Sequence, residues 1–442
     1  MGRRFVDLRL INIKGVLMTN HYDVIVVGAG TSGLMAAIQA AQQGAKVLIL
    51  EKNKVPGRKL LLSGGGRCNV TNRTQREELI RHIPGNGKFL YSALNQFDQE
   101  DIIAFFETRG VPLKEEDHGR MFPVSDRSRT ILDTLLAELD QLGVTIYYQN
   151  TVQSLKLSAD RPKIVGVETQ DGQFFACTSL VLAMGGRAYP KTGSTGDGYA
   201  SARSVGHSIR PLYPTEASLI STDREVTSNE LKGISIRNVR VSLWDDAAES
   251  KEIIHHQMDM IFTHFGYSGP AILRCSGHVN LWLADHPEAQ VARLSIDLVP
   301  EQSIEDLCQH AEDQRDKHVL TLLKNWMPER MAQAILHRCQ ILPDQAYKQL
   351  EHQAVNDLWQ TVKHYSISAT GSQPIEKSFV TGGGISVKEV EPKSMASKLV
   401  DGLYFCGELL DINGYTGGYN ITAAFVTGSI AGQYATWAAL SQ

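Results

Sequence analysis

The sequence predicts an α/β fold built around a parallel sheet, and three observations predict it. An apolar run, HYDVIVV from His21, is followed by GAGTSG, by the alanine-rich stretch LMAAIQAAQQG and by a second apolar run, KVLILE, in the strand–helix–strand order of a parallel sheet. Both runs are continuous in Val, Ile and Leu rather than alternating, as strands buried on both faces are. Near the end the pattern returns: GLYFCGELLD is again a buried run containing a glycine, and NITAAFVTGSIAGQYATWAAL closes the chain as a small-residue helix. One α/β domain is therefore expected from both ends of the chain, with the middle inserted into it.

The elements follow in order. Gly44 sits where the first helix should be capped at its C-terminus. Residues 98–110 and 129–142 have the spacing of amphipathic helices, and LGVTIYYQNTV supplies a strand. IVGVETQDGQFFACTSLVLAMGG reads as a hairpin through Asp171-Gly172 that leads back into a buried strand ending in glycines. Composition then shifts. Period-2 segments such as IRNVRVSLW and ARLSIDLV predict a β-rich domain, and residues 301–357 are helical. The expected organisation is an appendage at 1–17, the α/β domain over 18–206, an inserted β-rich domain over 207–300, a helical subdomain over 301–357, a return strand of the β-rich domain at 358–370, and the rest of the α/β domain over 371–442.

Composition narrows the class. With 42% hydrophobic, 21% charged and 7% aromatic residues among 442, disordered, collagen-like and fibrous chains are excluded. Lys and Arg number 44 against 48 Asp and Glu, with no basic run, so a small-molecule substrate is expected rather than nucleic acid. The six cysteines are dispersed without a CxxC pair or a histidine at metal spacing, which predicts no metal centre and no disulfide framework. No apolar stretch reaches the roughly 18 residues of a membrane span, so a cytoplasmic protein is expected. Residues 1–17 carry Arg3, Arg4, Arg9 and Lys14 with no cleavage site, and Met18 is a candidate natural start.

Three glycine-rich segments carry the chemistry. Gly28-Ala29-Gly30-Thr31-Ser32-Gly33 is a GxGxxG after a strand and before a helix: Gly28 makes the turn, Gly30 lets backbone approach a diphosphate, and Gly33 lets helix and strand pack. The helix N-terminus stabilises that anion, and Glu51, ending the next strand, is placed to accept both ribose hydroxyls. The segment PGRKLLLSGGGRCNVTN (56–72) can form an anion-binding nest around Gly65, with Arg58, Lys59 and Arg67 neutralising charge. The third, GELLD followed by GYTGGYN (407–420), precedes the last helix, whose positive end could stabilise a reduced flavin. The local motifs leave FAD or NAD open. There is no second strand–GxGxxG–helix unit, GNGKF (85–89) lacks the Ser/Thr of a P-loop, and no CxxC provides a dithiol relay.

GRKLLLSGGGRCNVTN, HGRMFPVSDRS, MGGRAYPKTGSTGDGYA, FTHFGYSGPAIL, VTGGGISVKEV and GLYFCGELLDINGYTGGYNITAAF together resemble the YhiN/BaiN-type three-domain bacterial flavoproteins, some of whose members are called aminoacetone oxidases. The resemblance runs from about residue 20 to the end. It implies FAD in a glutathione-reductase-like Rossmann domain, with an inserted β-barrel and a helical domain over the flavin. It carries over Gly28, Gly30, Gly33 and Glu51 for the ADP half, Val152 against the adenine, and Arg58, Lys59, Arg67, Cys68 and Asn69 along the ribityl and flavin. Gly185 and Gly186 would border the cofactor, and Glu408, Gly418, Asn420 and Ile421 would lie at the flavin end.

The leading expectation is an FAD-dependent oxidoreductase in which a small organic substrate, an amine for example, passes a hydride to flavin N5, with reoxidation by oxygen or another acceptor. His264, Tyr415 and His118 are the candidates to assist proton loss, while Cys68 and Cys406 are read as buried spectators. One alternative runs the other way, with NAD(P)H as a transient donor and an unsaturated small molecule as acceptor. The other is a non-catalytic FAD-binding sensor or scaffold.

Overall fold

The computed structural model describes residues 21–245 and 251–441, so the expectation for residues 1–17 lies outside the described residues. The chain forms two compact units: one runs to Leu212 and resumes at Val380, and the other is Tyr213–Phe379. The division falls after Leu212 and Phe379, where boundaries were expected after 206 and 370.

The first unit is the α/β domain. His21–Val27 pairs in parallel with Val47–Glu51 on one side and Phe174–Leu182 on the other, and Val47–Glu51 pairs with Thr145–Tyr148 at the edge. Every residue of Val47–Glu51 is buried, as are Val24 to Val27, which is why these runs are continuous rather than alternating. The expected hairpin is present: Ile164–Thr169 runs antiparallel to Phe174–Leu182, with Gly172 in the left-handed region at its turn. Val152–Leu157 extends the sheet, and Leu403–Phe405 returns to lie parallel with the end of Phe174–Leu182.

Helices Thr31–Gln42 and Tyr419–Leu440 pack against each other and against the sheet. The small-residue character of the last helix has a steric cause. A Cβ on Gly428 would lie 2.3 Å from Ser32 O, and one on Gly432 would lie 2.1 Å from Ala36 O. The two backbones touch.

The second unit holds a seven-stranded sheet in the order Tyr365–Ala369, Ala292–Asp297, Ser235–Trp244, Glu252–Phe262, Gly266–Ser268, Leu219–Ile220, Gly371–Ser372. The strands at the two ends of that order are separated in sequence by Thr370 alone, so the sheet curls back on itself. Helix Pro270–Asp285 packs on it. The helices expected over 301–357 share its core, but the last of them, His352–Lys363, runs on into the segment expected as a return strand, which is confined to Tyr365–Ala369; Leu307, Leu322, Ile335 and Trp359 lie in one cluster with Val241 and Leu294. Among the described residues no helix is long and apolar enough to cross a membrane, and no His/Cys/Asp/Glu cluster could hold a metal ion.

Candidate functional site

The parallel strands of the first unit end on the same side, and the chain leaves each of them through a site segment, the arrangement in which an open α/β sheet binds ligands. After His21–Val27, Gly28 adopts φ 103° with its Cα against Ala183: a Cβ would lie 2.6 Å from that carbonyl oxygen. A Cβ on Gly33 would lie 1.9 Å from Gly28 O, so helix and turn close on each other there. Gly30 is different. No atom lies within 4 Å of where its Cβ would be, and helix Thr31–Gln42 has no side-chain cap. The first N–H groups of that helix have no side-chain acceptor, and the space at Gly30 is open, as a diphosphate requires.

Glu51 ends the neighbouring strand with 6% exposure. Its Oε2 accepts from Ala29 N–H at 2.7 Å, and its Oε1 accepts from both the backbone N–H and the Nδ2 of Asn53 at 2.7 Å. Gln149 N–H donates to Asn53 O and Asn150 N–H to Glu51 O, which brings the turn before buried Val152 to the same place. Gly28, Gly30, Gly33, Glu51 and Val152 are thus gathered at one end of the sheet.

The second segment is a left-handed staircase. Gly64, Gly65, Gly66 and Cys68 have φ of 56°, 67°, 90° and 64°, and the Cβ positions of Gly65 and Gly66 face open space. The three cations expected to neutralise a ligand there each also have a partner within the protein. Arg67 donates to Asp126 at 2.8 Å, bonds Glu116 as well, and lies over the Phe122 ring at 4.1 Å. Arg58 donates to Asn53 Oδ1 at 3.1 Å. Lys59 Nζ lies 2.5 Å from Glu408 Oε2. Burial pushes the thiols of Cys68 and Cys406 up to about 12, so neither is a thiolate at neutral pH.

Glu408 is held at both oxygens, its Oε1 accepting from Thr381 N–H at 2.8 Å. Gly186 fits beneath it: a Cβ would lie 2.4 Å from Thr381 Oγ1 and 3.0 Å from Glu408 Cδ. Gly185 precedes it with φ 71°. Lys59, Gly186 and Glu408 therefore form one wall. Asn69 is 7% exposed and its Oδ1 has no hydrogen-bond partner among the described residues. A Cβ on Gly418 would come 3.1 Å from that oxygen. An orphaned buried acceptor beside a helix N-terminus fits a ligand that brings its own N–H, as the flavin ring does.

Gly418, at φ 100°, precedes Tyr419–Leu440, which has no side-chain cap and no acid in its first turn. Its positive end is uncompensated. Asn420, expected at the flavin end, shapes the loop there: its amide accepts from Gly414 N–H at 2.8 Å and donates to Gly414 O and Tyr415 O at 2.7 and 3.2 Å. Ile421 packs half-buried against the core.

Sequence reasoning missed the braces of this loop. GNGKF, examined for a phosphate loop, pairs with it: Gly85 N–H donates to Asn413 O at 3.0 Å, and Asn86 Nδ2 to Asp411 O at 2.7 Å. His82 stacks on Tyr419 at 4.5 Å and accepts Tyr415 N–H at its backbone oxygen. Asn72 Nδ2 donates to both Gly417 O and His118 O at 2.9 Å, so exposed His118, at φ 58°, borders the same loop. Tyr415 is buried within it. His264 belongs to the other unit, exposed in the turn between Glu252–Phe262 and Gly266–Ser268. Of the three proton-transfer candidates, Tyr415 and His118 lie on the unit that carries the glycine segments.

The chain matches the family described as "HI0933-like protein Rossmann domain" over residues 22–434. It is 31% identical over 412 residues to a ribosomal RNA dihydrouridine synthase of Escherichia coli (strain K12), covering 92% of this chain and 96% of that protein. It is 31% identical over 428 residues to a 3-dehydro-bile acid delta(4,6)-reductase of Clostridium scindens, covering 93% and 98%. Among solved structures, Mycobacterium smegmatis Sdh1 in complex with UQ1 has a TM-score of 0.50 at 17% identity, over 96% of this chain and 69% of that one, a likeness of fold. The chain belongs to the HI0933-like family and is an FAD-dependent oxidoreductase.

Proposed function

We propose that this enzyme saturates a ring carbon–carbon double bond conjugated to a carbonyl, that its electrons come from NAD(P)H, and that the ring is a uracil of ribosomal RNA. The observation that carries this reading is full-length similarity to two proteins whose names both describe such a saturation, one making dihydrouridine in ribosomal RNA and the other a delta(4,6)-reductase. Neither name supports the finer expectation of an amine donor with oxygen as acceptor.

FAD supplies the atom that accepts and donates the hydride, flavin N5. The chain's own residues bind and orient it. The open helix end at Gly30 would hold the diphosphate, Glu51 the ribose, and Asn69 Oδ1 a ring N–H. The uncapped positive end of Tyr419–Leu440 would stabilise negative charge on the reduced ring. Tyr415 and His118 are the groups from which the substrate carbon would take its proton. Buried, protonated Cys68 and Cys406 leave no thiol to divert the electrons.

The acidic balance of the chain argues against nucleic acid only in part, because it is unevenly placed. Tyr213–Phe379 carries 15 Lys and Arg against 23 Asp and Glu, whereas residues 21–212 and 380–442 carry 25 against 24. The unit with the cofactor residues is neutral. A ribosomal substrate would also place the reaction in the cytoplasm. A steroid-like enone is the second reading, favoured by the Clostridium relative at equal identity.

The test is to incubate the purified holoenzyme anaerobically with NADPH and ribosomal RNA lacking dihydrouridine, then digest the RNA and weigh its nucleosides. Dihydrouridine appearing among the nucleosides supports the reading. Reduction of a steroid enone with untouched RNA would move the assignment to the second reading.

A further inference from the structure

We propose that Asn53 is a positioning residue for the adenosine ribose of FAD, acting through Glu51, and that together they take one ribose hydroxyl rather than two. A carboxylate offers about four lone-pair sites. Three on Glu51 are already filled by Ala29 N–H, Asn53 N–H and Asn53 Nδ2, each at 2.7 Å. The site that remains is on Oε2, the oxygen that shares its hydrogen bond with the glycine turn. Asn53 thus closes Oε1 and leaves Oε2 open, which fixes where a ribose hydroxyl can donate.

Asn53 is itself held from every side. Its Oδ1 accepts from Arg58 at 3.1 Å, its Nδ2 also points at Thr192 O at 3.5 Å, and its backbone oxygen accepts from Gln149 N–H. Gly193 makes the space: at φ 104°, a Cβ there would lie 2.3 Å from Asn53 Nδ2. Two segments distant in sequence, at Gln149 and at Thr192–Gly193, converge on Asn53, and its backbone and side-chain N–H groups both donate to Oε1 of Glu51. A surface asparagine would need none of this.

The experiment measures binding of ADP and of FMN to the full-length apoprotein by calorimetry, for the wild type, Asn53→Ala and Asn53→Asp. ADP contains the adenosine ribose and FMN lacks it. Asn53→Ala should weaken ADP about 10-fold, the loss of a hydrogen bond to a charged group, and leave FMN unchanged. Asn53→Asp keeps the volume and covers failure of the alanine variant to fold. It places a second carboxylate on Oε1, so it should weaken ADP more than alanine does at neutral pH and recover on acidification, when the new carboxyl can donate to Oε1. Wild-type ADP affinity in Asn53→Asp, or equal losses for ADP and FMN, would overturn the assignment.

Discussion

Tyr213–Phe379 holds one cluster of buried polar side chains that close on each other, whereas beside the glycine segments of the other unit an acceptor and two helix ends stand without a side-chain partner. Tyr267 OH donates to Asp223 Oδ2 at 2.5 Å, Ser368 donates to the same carboxylate through both its backbone N–H and its hydroxyl, and Trp359 Nε1 donates to Tyr347 OH at 3.2 Å. These bonds lock a curled sheet to its helices. The first unit has its own locks, but it also has Asn69 Oδ1 without a partner, an uncapped helix behind Gly418 and a clear approach at Gly30. Glycines divide the same way. Gly33, Gly428 and Gly432 are filled by neighbouring backbone, whereas Gly30, Gly65 and Gly66 face nothing. The closed positions hold the fold, and at Gly30, Gly65 and Gly66 the open space lies beside the segments expected to meet the cofactor.

The strongest way to break this comparison is Gly30→Val. Its backbone, at φ −86°, suits any residue and no protein atom stands in the way, so the variant should fold with the melting temperature of the wild-type apoprotein. It should nonetheless lose essentially all bound flavin on gel filtration. Retention of flavin would remove the diphosphate from that position. Gly432→Ala should do the reverse: the added carbon meets Ala36 O, costing about 3 kcal/mol in chemical denaturation while flavin stays in the molecules that remain folded.

Smaller effects sharpen the picture. Tyr267→Phe removes one donor from Asp223 and should cost about 1–3 kcal/mol, without change in flavin content. His207 tests the locks of the first unit by pH. Its side chain is fully buried, with Nε2 2.8 Å from Ser397 Oγ, Nδ1 3.4 Å from Glu389 and the ring edge-on to Phe405. Burial lowers its proton affinity, against the opposing pull of Glu389. The neutral form is therefore the folded one: its stabilisation is complete above the ordinary histidine value of about 6.5 and is lost as pH falls below it. Melting temperatures between pH 8 and pH 5 (roughly the range in which histidine titrates) should decline less for His207→Gln than for the wild type. The smallest effect is on the thiols: Cys68 and Cys406, pushed up to about 12, should resist alkylation of the native protein at neutral pH.

The parts legible in the sequence are those in which neighbours along the chain determine the backbone. GxGxxG after a buried run fixes a turn, a helix end and a following strand, and Glu51 falls at the end of that strand because strand length is constrained by the sheet. The last helix was legible from its small residues for the same reason. What escaped reading was pairing. Arg67 looked like a ligand for phosphate because its partners, Glu116 and Asp126, lie 49 and 59 positions on. Lys59 meets Glu408 across 349 positions. Asn420 looked like a flavin contact, but an asparagine in the first turn of a helix can equally bond back to the loop before it. GNGKF lacks the residues of a phosphate loop, and nothing local announces that it braces a loop more than 300 residues away. One signal was available: Gly85 is a glycine because a Cβ would lie 2.1 Å from Asn413 Nδ2.

The most direct measurement of the central claim is an anaerobic titration followed by flavin absorbance. NAD(P)H should bleach the flavin, and uracil-containing ribosomal RNA, added with oxygen excluded, should restore the colour in proportion to the double bonds saturated. Bleaching by an amine alone, with colour returning only when air is admitted, would contradict the account and make the enzyme an oxidase.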